Sequence, residues 1–152
     1  MPAKKTTTTS KPKKSAKPAS RAPASARGAR SDRSAQFRAV FGAIRGMLET
    51  LAPQLSVMID KPGHYYLNTV SPSWRGKPLY FASVQIKKNY VSYHLFPVYM
   101  NPKLLESVSP ALKKRMQGKA CFNFAEPDMM LFTELAVLTT AGFREYERKG
   151  LL

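Results

Sequence analysis

Apolar side chains recur at steps of three and four between residues 34 and 51. They are Phe37, Val40, Phe41, Ile44, Met47, Leu48 and Leu51. Since an α-helix turns once every 3.6 residues, this spacing places them along one face of a helix. Ser34 is a suitable N-cap and Pro53 marks the end, so we predict a first helix over residues 34–51.

The pattern changes after residue 55 to runs that are rich in β-branched and aromatic residues, as strands are. We predict strands over residues 56–60, 64–70, 79–87 and 90–99. Residues 71–78, which include two prolines and a glycine, read as a loop.

The runs 79–87 and 90–99 predict a hairpin with a two-residue turn at Lys88-Asn89. Such a turn favours a positive φ, which Asn tolerates. If Lys87 pairs with Tyr90, one face becomes wholly apolar, with the pairs Ile86–Val91, Val84–Tyr93 and Ala82–Leu95. The other face then carries six mixed side chains, namely Phe81, Ser83, Gln85, Ser92, His94 and Phe96. One register therefore yields one clean apolar face, which supports the hairpin.

Prolines end the last strand of the hairpin, and short helices are predicted over residues 102–107 and 110–117. A short apolar strand follows over residues 120–124, and the last helix covers residues 127–148. Its apolar stripe is Leu131, Leu135, Leu138, Gly142 and Tyr146. The predicted fold class is α+β: an antiparallel sheet with the N- and C-terminal helices packed on one face.

Residues 1–33 have a different composition, dominated by Lys, Ala, Pro, Ser and Thr. Folding requires that the burial of apolar side chains offset the loss of backbone entropy. Apart from Met1, these residues offer no large apolar side chain to bury. We predict a disordered basic tail over residues 1–33 and an α+β domain over residues 34–152.

The chain carries a net charge of +16. The tail contributes +9 of this and the domain +7, so both segments attract polyanions. Candidate contacts with an anion or a nucleic acid are Lys11, Lys13, Lys14 and Lys17 in the tail, and Lys113, Lys114, Arg115 and Lys119 in the domain. Solubility with loose, non-specific attraction is the alternative explanation of the same charges.

Cys121 is the only cysteine, so the chain has no intrachain disulfide, which fits a reducing compartment. The chain lacks an apolar run of about 18 residues and an apolar segment typical of a secretory signal. By elimination we expect a cytoplasmic protein without a membrane partner.

Catalytic motifs are absent from the sequence, so we predict a protein that is not an enzyme and needs no cofactor. His64, His94 and Cys121 have no spacing typical of a zinc site, and a nucleophilic Cys–His pair would require a proximity that the sequence does not reveal. The better candidate is the mixed face of the hairpin, which combines aromatic contact with hydrogen-bonding groups. Coverage of that face by other parts of the chain is the competing interpretation.

Three stretches resemble the YdhG-like domain, a bacterial family of unknown function. They are Pro62 to Tyr66, Tyr80 to Tyr99 and Leu112 to Phe124, and the resemblance covers roughly residues 35–148. It implies a frataxin-like layout, with terminal helices on an antiparallel sheet. One member has been described as a frataxin-like iron chaperone.

Iron binding is accordingly one alternative that the resemblance raises, but frataxins use an acidic helix and this sequence does not. Hard cations bind to several oxygen ligands that lie close together. Glu49 is the only acidic residue of the predicted first helix, so that helix does not supply such a group. Glu126 and Asp128 come nearest to a cluster, and they suit the N-terminus of the last helix. We therefore expect a module that binds a small ligand or a protein on its sheet, with nucleic-acid binding through the tail as the principal alternative.

Overall fold

The computed structural model describes residues 24–152, with side chains from residue 28 onward. Its α-helices are α1 (Ala24–Glu49), α2 (Phe96–Met100), α3 (Pro110–Lys113) and α4 (Met129–Arg148). Its strands are β1 (Ser56–Lys61), β2 (His64–Asn68), β3 (Tyr80–Ile86), β4 (Val91–Leu95), β5 (Met116–Gln117) and β6 (Cys121–Phe124). Two 3-10 turns lie at Ala52–Gln54 and Pro102–Leu105.

Helix α1 begins ten residues earlier than the sequence predicts. Residues 24–33, assigned above to the tail, are helical, and Ser34 is an internal helical residue rather than an N-cap. Ala and Arg are strong helix formers, and no proline occurs between residues 24 and 52, so the helix can extend upstream of its apolar stripe. The rest of the predicted tail, residues 1–23, lies outside the described residues.

The six strands form one antiparallel sheet in the order β1-β2-β3-β4-β6-β5. The predicted hairpin register is confirmed, because Ile86 pairs with Val91, Val84 with Tyr93 and Ala82 with Leu95. The turn differs in one respect: Arg75 is the only non-glycine residue of positive φ in the described chain, so Asn89 keeps a negative φ.

Strand β3 contains a bulge that the alternation pattern does not reveal. The pairing with β2 shifts so that Leu67 faces Ala82 while Asn68 faces Tyr80, which leaves Phe81 without a partner. Phe81 is therefore fully buried beneath α4, in edge-to-face contact with Phe143 and Tyr146. Its predicted position on the mixed face is wrong, and Tyr80 takes that position instead.

Two further boundaries are corrected. Strand β4 ends at Leu95, and the next five residues form α2, because Pro97 can occupy the first turn of a helix but cannot donate to the sheet. The predicted helix 110–117 ends at Lys113, and Met116 and Gln117 pair with β6 as the edge strand β5. At the opposite edge, β1 is interrupted by a bulge between Val57 and Ile59.

Helices α1 and α4 cover one face of the sheet, as predicted, and the core lies between. The buried side chains of α1 and α4 meet those of the inward-facing strand positions. Polar groups in this layer are paired. The Tyr93 hydroxyl, fully buried, lies 2.8 Å from the Thr139 hydroxyl, which in turn donates to the Leu135 carbonyl. The fold class is α+β.

Gly142 lies where α4 packs closely on Pro97 of α2. A Cβ added there would lie 3.0 Å from Pro97 Cβ and 3.2 Å from its Cγ. Since a buried proline ring has little freedom to move, we expect Gly142→Ala to lower the free energy of unfolding by about 1–3 kcal/mol. Gly46→Ala is the matched control, because exposed Gly46 of α1 has no atom within 4 Å of an added Cβ.

Urea denaturation of the two variants and the wild type measures this difference. Gly46→Ala should leave the stability unchanged or raise it by about 0.5–1 kcal/mol, since alanine loses less backbone entropy than glycine. Equal effects of the two substitutions would contradict the close packing of α4 on α2.

Candidate binding surfaces

The face of the sheet opposite α1 and α4 carries two rows of side chains, and we call it the open face. The first row runs across all six strands through directly paired residues: Ile59, Tyr66, Ser83, His94, Cys121 and Gln117. The second row is Lys61, His64, Gln85, Ser92 and Asn123. Most of these side chains are half-buried, so the face is a polar and aromatic surface that solvent only partly reaches.

An aromatic cluster occupies the centre and one end of the open face. The Tyr80 ring lies 4.9 Å from Tyr66, 5.1 Å from His94 and 5.7 Å from Phe96, measured between ring centroids. Phe96 stacks in turn on Tyr99 at 5.4 Å. The Tyr80 hydroxyl is 2.6 Å from the Ser83 hydroxyl. Burial raises the pKa of Tyr80 far above its ordinary value, so this phenol stays neutral.

His94 and Cys121 are brought together by the pairing of β4 with β6. The Cys121 Sγ lies 3.0 Å from His94 Nδ1. Burial lowers the pKa of His94 and raises the pKa of Cys121, so both changes favour the neutral pair over a thiolate and an imidazolium. Neither shift favours the thiolate that a nucleophilic cysteine requires.

Three buried side-chain polar atoms on the open face have no hydrogen-bond partner within the described residues. They are Asn68 Oδ1, His94 Nε2 and Asn123 Oδ1. A fourth such atom, Glu145 Oε1, lies elsewhere and is 3.1 Å from the Lys149 ammonium, so an ion pair compensates it. Buried polar atoms are nearly always satisfied in folded proteins, so each one that is not requires an explanation, such as a bound water, an ion or a functional role.

The predicted face residues are largely brought together. Ser83, Gln85, Ser92 and His94 all point to the open face, and Phe96 lies beside them at the start of α2. Sequence reasoning missed the other members of this surface, among them Tyr66, Asn68, Tyr80, Cys121 and Asn123. Every second residue of β2 and β6 faces the open side, which places four of these five there, whereas Tyr80 depends on the bulge.

A cavity of about 710 Å³ lies at the end of the sheet where α1 passes the two hairpin turns. We call it the turn-end cavity. Its walls come from α1 residues 30–38, the β1–β2 turn at Pro62-Gly63-His64, and the β3–β4 turn at Lys88-Asn89, with Gln85 and Ile86 between them. Gly63 has a φ of 78°, which permits this tight turn.

The predicted basic cluster of the domain is divided in the structure. Lys114 and Arg115 line a separate cavity of about 640 Å³, together with Ser109 and Asp128. Lys119 instead lies over the Tyr99 ring, 5.7 Å from its centroid, and Lys113 is exposed at the end of α3. Lys11, Lys13, Lys14 and Lys17 lie outside the described residues.

Residues 24–152 bear on two further features, metal binding and membrane crossing. Within that range the side chains of His, Cys, Asp and Glu form no group of three or more that could hold a metal ion. Asp128 caps α4 by accepting a hydrogen bond from the Leu131 amide at 3.1 Å, as its position suggested. The helices of this part of the chain are all too short or too polar to cross a membrane.

No family model, curated protein or solved structure matches this chain. The resemblance to the YdhG-like family therefore stays a prediction, and the α+β fold is established on the chain's own structure.

The burial of His94 predicts a pH dependence of stability. Its pKa is held below the ordinary value of 6.5, so the unfolded chain binds this proton more readily than the folded chain does. Stability should therefore fall as the pH drops below about 6.5. We expect His94→Gln to lose less unfolding free energy than the wild type between pH 7.5 and pH 5, measured by urea denaturation. An identical pH dependence in both proteins would contradict the burial of this imidazole.

Proposed function

We propose that this protein is a non-enzymatic binding module that holds a small ligand on the open face of its sheet. The observation that carries the proposal is that three buried polar atoms on this face, one each on β2, β4 and β6, have no hydrogen-bond partner within the described residues. Asn68 Oδ1 and Asn123 Oδ1 accept hydrogen bonds, while His94 Nε2 donates or accepts according to its tautomer. Each atom is shielded from solvent, so a ligand reaches it only by displacing the side chains above it; satisfying even one then removes a cost of about 1–3 kcal/mol.

The neighbouring side chains indicate the chemistry of that ligand. Tyr66, Tyr80 and Phe96 offer aromatic surface, and Ser83 and Ser92 offer hydroxyl groups. Flat polar molecules match such a surface, because a ring can stack while its edge forms hydrogen bonds. The direction of both pKa shifts, lowered for His94 and raised for Cys121 by burial, supports a binding role over a catalytic one.

Blocking the open face tests this proposal. Ser92 is half-buried between Gln85 and Asn123 of the second row, so Ser92→Arg should fill the space that a ligand needs. The measurement is a thermal-shift screen of the full chain with nucleosides, aromatic carboxylates and other flat polar molecules. A ligand at about one hundred times its Kd stabilises by about 2.7 kcal/mol, which raises Tm by several degrees.

The matched control is Thr140→Arg, which adds the same side chain to the exposed face of α4. The Tm shift should vanish in Ser92→Arg and persist in Thr140→Arg. The proposal fails if no molecule of the screen raises Tm, or if the shift survives in Ser92→Arg. Each variant's Tm without ligand shows that it is folded.

Nucleic-acid binding through the basic N-terminal segment is a second candidate, which the net charge of +9 over residues 1–33 favours. Polyanion binding by lysines releases counterions, so it weakens steeply with salt. If about six phosphates are contacted, log K should fall against log salt with a slope near −5. Neutralising Lys11, Lys13, Lys14 and Lys17 to Gln should reduce that slope by about 3 to 4.

The control replaces four exposed lysines of the domain, Lys61, Lys77, Lys87 and Lys103, by Gln in the same full-length chain. Duplex DNA binding is measured by fluorescence anisotropy between about 50 and 200 mM salt. Equal slopes for the two quadruple variants would show that net charge alone drives the binding. That result would contradict a specific role of the four tail lysines.

A further inference from the structure

The turn-end cavity concentrates positive charge without compensation. Arg30, Arg33, Arg38 and Lys88 line it, and its lining contains no carboxylate. The ion pairs of the described residues involve Arg45, Arg148 and Lys149, and none involves these four side chains. Uncompensated like charges repel one another, which costs stability unless a bound anion offsets the repulsion.

Residues 1–27 cannot supply that compensation through side-chain carboxylates. Residues 1–27 contain no Asp or Glu, so whatever their arrangement they add only positive charge. Two carboxylates lie close by: Asp32 is adjacent to Arg33 in α1, and Glu126 lines an adjoining cavity of about 330 Å³ that shares Arg33. Neither forms an ion pair with the four basic side chains. The lining of the turn-end cavity therefore carries a positive charge that residues 1–27 cannot neutralise.

The cavity also has the architecture of a ligand site. Its volume of about 710 Å³ falls within the range of about 300–1,000 Å³ that small-molecule sites occupy. Phe37 and Ile86 give it an apolar floor, and His64 and Gln85 add hydrogen-bonding groups. Arg38 is held by its own helix, since its Nη1 donates to the Ser34 hydroxyl at 2.7 Å.

We propose that the turn-end cavity binds a small molecule carrying two or more phosphate groups. Guanidinium groups present paired donors that match phosphate oxygens, and several arginines around one cavity favour a ligand of multiple negative charge. A single phosphate occupies only a fraction of the volume, so the apolar floor accommodates an organic part of the ligand. This site is separate from the open-face site, with which it shares only the edge residues His64 and Gln85.

Titration calorimetry of the full chain with sodium tripolyphosphate at about 150 mM salt tests the proposal. We expect one saturable site, and the affinity for tripolyphosphate should fall at least about tenfold in the double variant Arg33→Gln/Arg38→Gln. The control double variant Lys77→Gln/Lys103→Gln removes the same charge from exposed positions outside the cavity, and it should stay within about twofold of the wild type. All four positions are exposed, so folding should survive, and Tm measurements verify it.

Amide chemical-shift mapping provides a readout that does not depend on affinity. Tripolyphosphate should shift the amide signals of Gly63, His64 and Asn89, which belong to the two turns of the cavity. Equal weakening in the two double variants would overturn the proposal in favour of general electrostatic attraction, and so would unchanged affinity in Arg33→Gln/Arg38→Gln.

The source of the phosphate is distinguished by a second arm that uses a 20-nucleotide single strand. If the ligand is a small molecule, Arg33→Gln/Arg38→Gln should weaken the binding of tripolyphosphate much more than the binding of the oligonucleotide. Equal losses for both ligands would overturn that assignment and make the cavity a contact for a nucleic-acid backbone. Success or failure here is independent of the open-face proposal, whose Ser92→Arg variant leaves the cavity arginines in place.

Discussion

The bulge at Phe81 determines how both faces of the sheet are built. Without it, strict alternation would place Phe81 on the open face and leave the space under α4 unfilled. With it, Phe81 packs edge-to-face on Phe143 and Tyr146, and the Tyr146 hydroxyl donates to the Tyr80 carbonyl at 2.7 Å. The same displacement turns Tyr80 outward, where it contacts Tyr66, His94 and Phe96. One bulged residue thus both packs against α4 and determines which side chain lies on the open face.

The two candidate sites differ in the forces that would retain a ligand. The open face contains neutral, partly desolvated groups, so hydrogen bonds and ring stacking dominate and salt should have little influence. The turn-end cavity holds exposed arginines, so binding there should weaken with ionic strength. This difference allows the two sites to be studied in one chain, because salt separates their contributions.

Much of the fold follows from the sequence, since periodicity reports which side chains share a face. The stripes of α1 and α4 and the hairpin register were predicted correctly from apolar spacing alone. The bulge was not predicted, because a phenylalanine can lie on either face of the sheet. Only the contact with α4 determines which face Phe81 occupies. The start of α1 was missed for a similar reason: residues 24–33 have helix propensity but no apolar stripe. The His94–Cys121 contact depends on the pairing of β4 with β6. Two short helices, a 3-10 turn and strand β5 separate these strands along the chain, so no local signal reveals their pairing.

The edges of the sheet have a consequence for self-association. An exposed edge strand presents unpaired amides and carbonyls that another chain can adopt, which is the first step of many aggregates. Here β5 contributes only Met116 and Gln117, and β1 is broken by its bulge after Val57 and ends in Asp60 and Lys61. Neither edge offers a long regular template to a second chain. The same geometry that limits the sheet to six strands therefore protects it against growth by strand addition.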